Sequence, residues 1–79
     1  MKIRLMNPYH EEIYEVTESV ENFNNQLSSI YGGNIEFIKL NSCRHESKSQ
    51  NGTTNHEGID CNKIVLVNPS NWALVEVEE

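Results

Sequence analysis

The sequence lacks any long apolar run and is poor in basic residues, with six Lys and Arg against twelve Asp and Glu in 79 residues. Without a run of about 20 apolar residues, we expect no transmembrane helix. The residues after Met1 also lack the apolar stretch of a secretory signal peptide, so we expect a cytosolic protein with reduced cysteines. The net charge of −6 argues against direct binding to nucleic acid or to an anionic membrane. It favours a basic protein partner.

The length permits one domain, because domains are rarely shorter than about 50 residues. A catalytic cleft with a bound cofactor is hard to build at this size. We therefore treat residues 1–79 as a single domain with a small core.

The apolar pattern predicts five strands and one helix. Residues 3–6 and 12–16 alternate around a turn at 7–10, and residues 35–40, 63–67 and 72–77 also read as strands. The helix is predicted to begin with Thr17 as its cap and to end at Gly32–Gly33. Its apolar positions fall on one face, and they are Val20, Phe23, Leu27, Ile30 and Tyr31. The predicted fold class is α+β, with one helix packed on a small, mostly antiparallel sheet in the order ββαβββ.

Residues 41–62 stand apart because they contain almost no apolar side chains and are rich in Asn, Ser, Thr and Gly. A loop of about 20 residues without structure is unusual inside a compact domain unless something holds it in place. Both cysteines and two of the three histidines of the chain lie in this segment. We therefore interpret it as a metal-binding loop inserted between the third and fourth strands.

The expected ligands are Cys43, His45, His56 and Cys61, in the pattern C-x-H, ten residues, then H-x₄-C. Two thiolates and two imidazoles complete the tetrahedron that zinc prefers, and sulfur with nitrogen favours zinc over other divalent metals. One structural Zn²⁺ ion would also stabilise a domain with a small core. Four protein ligands leave no open position, so this ion is not expected to activate water.

Two other interpretations of the cysteines stay open at this stage. They are either unrelated free thiols, or a Cys43–Cys61 disulfide that would need an oxidising compartment. A catalytic version would use three ligands and a base from Glu46, Glu57 or Asp60, which otherwise act as hydrogen-bond partners of the histidines or as solvated charges. His10 is expected to be a surface residue of the first turn.

The acidic residues are unevenly distributed, because no Lys or Arg occurs between Leu5 and Ile38. An acidic stripe on adjacent elements would suit a basic groove and would raise the association rate with it, as in a mimic of DNA. The alternative is a solvated face without function. The candidate partner-binding residues are Glu11, Glu12, Glu15, Glu18, Glu21, Glu36, Glu76 and Glu78, and Glu79 follows them at the C-terminus.

With Cys43, His45, His56 and Cys61 set between strands of a small acidic domain, the chain resembles a zinc-containing type II-A anti-CRISPR protein of a phage or prophage. The resemblance implies a protein that is not an enzyme, that acts in the cytoplasm of the bacterial host and that binds Cas9, with or without its guide RNA. It implies that inhibition works by blocking the loading of target DNA. A zinc-binding interaction module or adaptor without inhibitory activity is the alternative function, and a small metal-dependent hydrolase ranks third.

Overall fold

One helix and six strands in a single sheet make up the described part of the chain, which in this computed structural model is residues 1–49, 52–57 and 61–79, without the side chains of residues 56 and 57. In chain order the elements are β1 (Lys2–Asn7), β2 (His10–Val16), α1 (Val20–Tyr31), β3 (Ile38–Ser49), β4 (Gly52–Glu57), β5 (Lys63–Val67), a 3₁₀ turn (Pro69–Asn71) and β6 (Leu74–Glu78). The described strand pairs are antiparallel, so the α+β prediction is confirmed.

The sheet runs in the order β4-β3-β2-β1-β6, and β5 pairs with the first half of β3. β3 is long enough to pair with two strands along one edge, with β5 through residues 38–42 and with β4 through residues 44–49. On its other edge, residues 42–49 pair with β2, where a bulge lies between Glu15 and Val16.

The helix begins at a polar cap and ends at glycine. The side-chain oxygen of Ser19 accepts a hydrogen bond from the backbone N–H of Asn22 at 3.1 Å, so the cap is Ser19 and the Thr17 prediction was two residues early. At the other end Gly33 has a φ of 78°, the left-handed conformation that favours glycine after a helix. The predicted end of the helix is confirmed.

α1 packs on one face of the sheet, which we call the helix face; the opposite face is the open face. Ile3, Leu5, Leu40, Val67 and Phe23 meet there with less than 5% of their surface exposed, together with Val16 and Ile38. Leu27 and Ile30 pack against this core as predicted, whereas Tyr31 is 81% exposed. The core is therefore small and lies between one helix and the centre of the sheet.

Side chains of the helix segment also close an edge of β3 that no described strand covers. The backbone N–H of Lys39 donates to Gln26 Oε1 at 2.7 Å, and Gln26 Nε2 donates to the Lys39 carbonyl at 2.9 Å. Two residues on, the backbone N–H and the side-chain amide of Asn41 both donate to the Glu18 carboxylate, at 2.8 and 2.9 Å. These bonds satisfy backbone groups that would otherwise depend on water.

The segment predicted as a loop at 41–62 is largely a β-hairpin. β3 extends to Ser49 and β4 returns alongside it, so the described order is ββαββββ instead of ββαβββ. In the described residues, no helix has the length and apolar character required to cross a membrane.

Candidate functional site

The two cysteines form a disulfide bond, Cys43–Cys61, across 18 positions of the chain. A sulfur atom in a disulfide is not the thiolate that binds zinc, so both predicted sulfur ligands are lost. Among the described residues, no group of three or more His, Cys, Asp or Glu side chains is arranged to hold a metal ion. The prediction of a structural Zn²⁺ ion is therefore wrong, and the disulfide, which the sequence left open, joins the ends of the segment instead.

The two predicted histidine ligands lie opposite one another in the sheet, since His45 of β3 is in register with His56 of β4. His45, however, turns its Nε2 to the carboxylate of Glu12 on the neighbouring strand. The side chain of His56 lies outside the described residues, as do Asp60 and the side chain of Glu57. Of the three proposed bases, Glu46 is described, and it pairs with Lys48 at 3.3 Å.

Glu12 is the centre of a polar cluster on the helix face, which we call the Glu12 cluster. Its carboxylate accepts hydrogen bonds from His45 Nε2, from His10 Nε2 at 2.5 Å and from the Ser47 hydroxyl at 2.9 Å. The Glu12 and His45 side chains are only 13% and 15% exposed. A buried carboxylate with several donors is stable, whereas one without donors would be very costly.

The strand register explains why these side chains meet. Glu12 lies between Leu5 of β1 and Ser47 of β3, and His10 is two residues away on the same face of β2. Tyr14, the next residue on that face, is in register with His45, and the two rings stack with centroids 4.3 Å apart and planes 5° apart.

Trp72 extends the cluster from the 3₁₀ turn. Its ring centroid lies 5.9 Å from that of His10. The backbone N–H of the next residue, Ala73, donates to Asn7 Oδ1 at 3.1 Å and fixes this segment to the end of β1. His10 lies directly after the first turn with 42% of its side chain exposed, as expected, and it is also a member of the cluster.

The cluster changes the acidity of two side chains. Burial favours the neutral form of Glu12, but the hydrogen bonds from His45, His10 and Ser47 and the charge of His45 outweigh it, so the pKa of Glu12 is below its usual value. Burial, with a further contribution from the negative charge of Glu12, raises the pKa of Tyr14. Glu12 is thus held as an anion and Tyr14 as a neutral phenol.

The hydrogen bonds of the cluster differ from those of a nucleophilic triad. In a triad a histidine lies between the hydroxyl and the carboxylate and takes the proton of the hydroxyl. Here the Ser47 hydroxyl and His45 both donate directly to Glu12. The geometry therefore joins β2 and β3 through a shared carboxylate, and no imidazole lies between Ser47 and Glu12 in this cluster.

The predicted acidic stripe is divided between the two faces of the sheet. Glu12 points to the helix face, whereas Glu11 lies on the open face and pairs with Arg4 at 2.8 Å. Arg4 also lies 3.7 Å from Glu76 of β6, and Arg44 of β3 lies 3.8 Å from Glu15. The open face therefore alternates in charge, and no continuous stripe follows β2.

A different group of carboxylates comes together where β6 ends beside the start of α1; we call it the acidic end. Glu79 Oε1 accepts a hydrogen bond from the backbone N–H of Val20 at 3.1 Å, and Glu21 lies in the first turn of α1. Negative charge at this position also stabilises the helix dipole. The members of the acidic end are Glu15, Glu18, Glu21, Glu78 and Glu79.

An open depression borders the acidic end. Glu15, Glu78 and Glu79 line it together with Lys2, Cys43 and the N-terminal residues. The Met1 amino group donates to the Val16 carbonyl at 3.1 Å, so part of its charge is directed inward. Glu36 lies beyond the other end of α1 and is not part of this group.

Sequence reasoning missed Ser47 and the shared role of His10 and Glu12. One signal was present, because residues at every second position of a strand share a face, and Val16 of β2 is apolar. That alternation places Tyr14, Glu12 and His10 on the same face as the core residue Val16.

Comparison with known proteins adds no relative: no family model, no curated protein and no solved structure matches the chain.

Proposed function

We propose that the chain is a non-enzymatic acidic protein that inhibits a basic nucleic-acid-handling enzyme by occupying its nucleic-acid groove. The observation that supports this function is the acidic end, where the fold gathers Glu15, Glu18, Glu21, Glu78 and Glu79 from β2, the start of the helix and the C-terminus. Carboxylates from separate segments make a surface that is anionic in three dimensions, which is what a groove for phosphates attracts.

The ion pairs of the chain favour this end over the rest of the sheet. On the open face Arg4 lies between Glu11 and Glu76, so part of their negative charge is compensated within the molecule. At the acidic end, Lys2, the Met1 amino group and the pairing of Arg44 with Glu15 offset only part of the negative charge of the five glutamates. The remaining charge is available to steer a basic partner and to select it against acidic ones.

Cas9 is the partner to test first, and blocking of target DNA loading is the proposed mode of inhibition. The resemblance to anti-CRISPR proteins depended on Cys43 and Cys61 as zinc ligands. Because these two cysteines form a disulfide, the proposal depends on the charge distribution alone. We keep the bacterial cytoplasm as the proposed location. Since cytosolic thiols are usually kept reduced, binding is measured with the disulfide intact and again after reduction.

The test is equilibrium binding to purified Cas9, with and without guide RNA, together with cleavage of a target duplex. Affinity should fall steadily as salt rises from about 50 to about 300 mM, because exposed charge pairs are screened over this range. The double variant Glu21→Lys with Glu78→Lys should weaken binding by about tenfold or more. The matched control is Glu36→Lys, an exposed glutamate away from the acidic end, and it should stay within about twofold of the wild type.

Three results would contradict the proposal in different ways. Absence of binding to Cas9 orthologues, with cleavage unimpaired, would exclude this partner. Binding that does not change with salt would exclude the acidic end as the contact. Binding that leaves cleavage unchanged would favour an adaptor over an inhibitor.

A further inference from the structure

The outer edge of β5 is apolar and exposed. Ile64 and Leu66 project from the open face of this strand with 54% and 61% of their surface exposed. Phe37, on the adjoining segment before β3, is 44% exposed. β5 pairs with β3 on one side only, and within the described residues no strand covers its other side. Large apolar side chains on an open strand edge are uncommon in a protein that stays monomeric.

The hydrogen bonds of β3 show which backbone groups of β5 face outward. The N–H and C=O groups of Lys39 both bond to Gln26, and those of Asn41 bond to the Glu18 carboxylate and to the N–H of Thr17. These groups therefore point away from β5. In an antiparallel pair, residues that point away from each other alternate with residues that exchange hydrogen bonds.

The partners of Lys39 and Asn41 in β5 are Leu66 and Ile64. The backbone N–H and C=O groups of these two residues must then point to the outer edge, while those of Lys63, Val65 and Val67 point to β3. Ile64 and Leu66 thus direct their backbone hydrogen-bonding groups to the outer edge of β5, and their exposed aliphatic side chains lie on the open face.

Other strands with an open edge carry features that discourage pairing, whereas β5 has one such residue, Lys63, at its first position only. β6 places Glu76 and Glu78 on the open face, and the described side chains of β4 are small and polar. After Lys63 the remaining residues of β5, Ile64–Val67, are all aliphatic, and no proline occurs before Pro69. Charged side chains and prolines are the usual protection of an edge strand.

We infer that β5 pairs with β5 of a second copy of this chain, antiparallel and about a twofold axis at Val65. In that register Ile64 lies opposite Leu66 of the other copy, and Leu66 lies opposite its Ile64. The outward N–H and C=O groups of both residues then exchange four hydrogen bonds between the copies. On the open face the two Ile64 and two Leu66 side chains form one continuous aliphatic cluster.

The register also keeps like charges apart. Lys63 lies opposite Val67 of the other copy, so the two lysines are four residues, or about 13 Å, apart along the strands. A shift of two residues in either direction leaves only part of the strand paired, and a shift of one residue places inward backbone groups against outward ones. A second copy therefore fits this edge along the full five residues of β5.

The interface is small, because a five-residue strand is about 17 Å long. We expect a reversible dimer that forms between about 10 μM and about 1 mM, as for interfaces below about 1,200 Å². Sedimentation equilibrium should show the mass rising from 9.1 kDa toward twice that value with concentration. Leu66→Lys should remain monomeric throughout. The matched control Leu74→Lys, at an exposed leucine on β6, should dimerise like the wild type.

Amide hydrogen exchange locates the contact independently of any variant. The amides of Ile64 and Leu66 should become protected as concentration rises, whereas those of Lys63, Val65 and Val67 should be protected at every concentration. As a covalent test, Val65→Cys should give a cross-linked dimer on oxidation, since residues opposite each other at such an axis have Cα atoms about 4.5 Å apart. Val75→Cys on β6 should not, and peptide mapping distinguishes the new bond from Cys43–Cys61.

Several results would overturn the inference. If the measured mass stays at 9.1 kDa up to about 1 mM, the chain does not self-associate even as weakly as a small interface would allow. The outer edge of β5 would then fit a strand of a different protein. A dimer that is unaffected by Leu66→Lys, or that leaves the Ile64 and Leu66 amides unprotected, uses another surface. None of these measurements involves the acidic end, so the proposed inhibitory function and the dimer fail independently.

Discussion

Loss of the Cys43–Cys61 disulfide should remove a large share of the stability of this domain. The bond encloses the β3–β4 hairpin, whose side chains are mostly polar and contribute little apolar burial. A domain of this size has a core worth only about 3 to 5 kcal/mol, so a covalent link between distant segments matters more than it would in a larger protein. The perturbation is reduction of the bond, or replacement of both cysteines by serine.

The magnitude follows from the length of the closed loop. Cross-linking residues 18 positions apart lowers the entropy of the unfolded chain by about 11 cal/mol/K in the loop-closure relation. At 25 °C this is about 3 kcal/mol of folding free energy. With a urea dependence of about 1 to 1.5 kcal/mol/M, the midpoint of unfolding should fall by about 2 to 3 M.

The assay is urea unfolding followed by circular dichroism, for the oxidised protein, the protein reduced with a phosphine and three serine variants. Cys43→Ser, Cys61→Ser and the double variant should lose the same free energy, because either single change already breaks the bond. EDTA should leave the oxidised protein unchanged. Equal stability of oxidised and reduced protein, or serine effects that add, would refute the disulfide account, and a large loss in EDTA would restore the zinc interpretation.

Two further predictions concern the interior of the helix face. Glu12→Gln should lower the free energy of unfolding at pH 7 by about 1 to 3 kcal/mol, because a charged acceptor of three hydrogen bonds is lost. The pKa of Glu12 is lowered in the folded state, so its contribution is present above the unfolded value near 4.5 and is lost as pH falls through the folded pKa. The free energy of unfolding, measured with urea between about pH 6 and about pH 3, should therefore depend less on pH in Glu12→Gln than in the wild type or in the exposed control Glu21→Gln. An equal dependence on pH in all three proteins would contradict the role of Glu12 in the cluster. Phe23→Ala should cost about 3 to 5 kcal/mol by leaving a cavity in the core, as measured by thermal or urea unfolding, whereas Tyr31→Ala on the exposed side of the same helix should cost less than about 0.5 kcal/mol.

The helix and the flanking hairpins were predictable because their burial is periodic. Phe23, Leu27 and Ile30 recur at helical spacing, and the alternation in β1 and β2 reflects a sheet with one face on the core. The exposed Tyr31 shows the limit of this reasoning, since periodicity gives the direction of a side chain but not how far the sheet extends beneath it.

The hairpin of β3 and β4 was missed for the same physical reason. Ser47, Lys48, Thr53 and Thr54 have no apolar neighbours to alternate with, so no pattern distinguishes this hairpin from a loop. Its strands form through backbone hydrogen bonds to β2 and to each other, and those bonds leave no trace in composition. The histidine and cysteine spacing was then assigned to a metal because nothing else explained an apparent loop of that length.

The pairing of the two cysteines explains why the zinc prediction failed. The thiolates that zinc would need are joined in the Cys43–Cys61 disulfide, and the register of β2 and β3 brings His45 to the carboxylate of Glu12 with Tyr14 against its ring. That register depends on the pairing of strands that are more than 30 residues apart, which local spacing does not encode. Of the four predicted ligands, Cys43 and Cys61 bond to each other and His45 bonds to Glu12.

The hydrophobic core covers only part of the sheet, and other interactions stabilise the remainder. Twelve residues give α1 a length of about 18 Å, so it shields the centre of the helix face and leaves the far end of β2 and β3 without apolar cover. At that end Glu12, His10 and Ser47 replace burial with hydrogen bonds. The disulfide acts at the opposite end of the β2–β3 pairing, where Cys43 lies beside Val16 and is joined to the residues that precede β5. Three regions should therefore respond to different perturbations: acid acts on the Glu12 cluster, reductant acts on the base of the hairpin, and loss of Phe23 acts on the core.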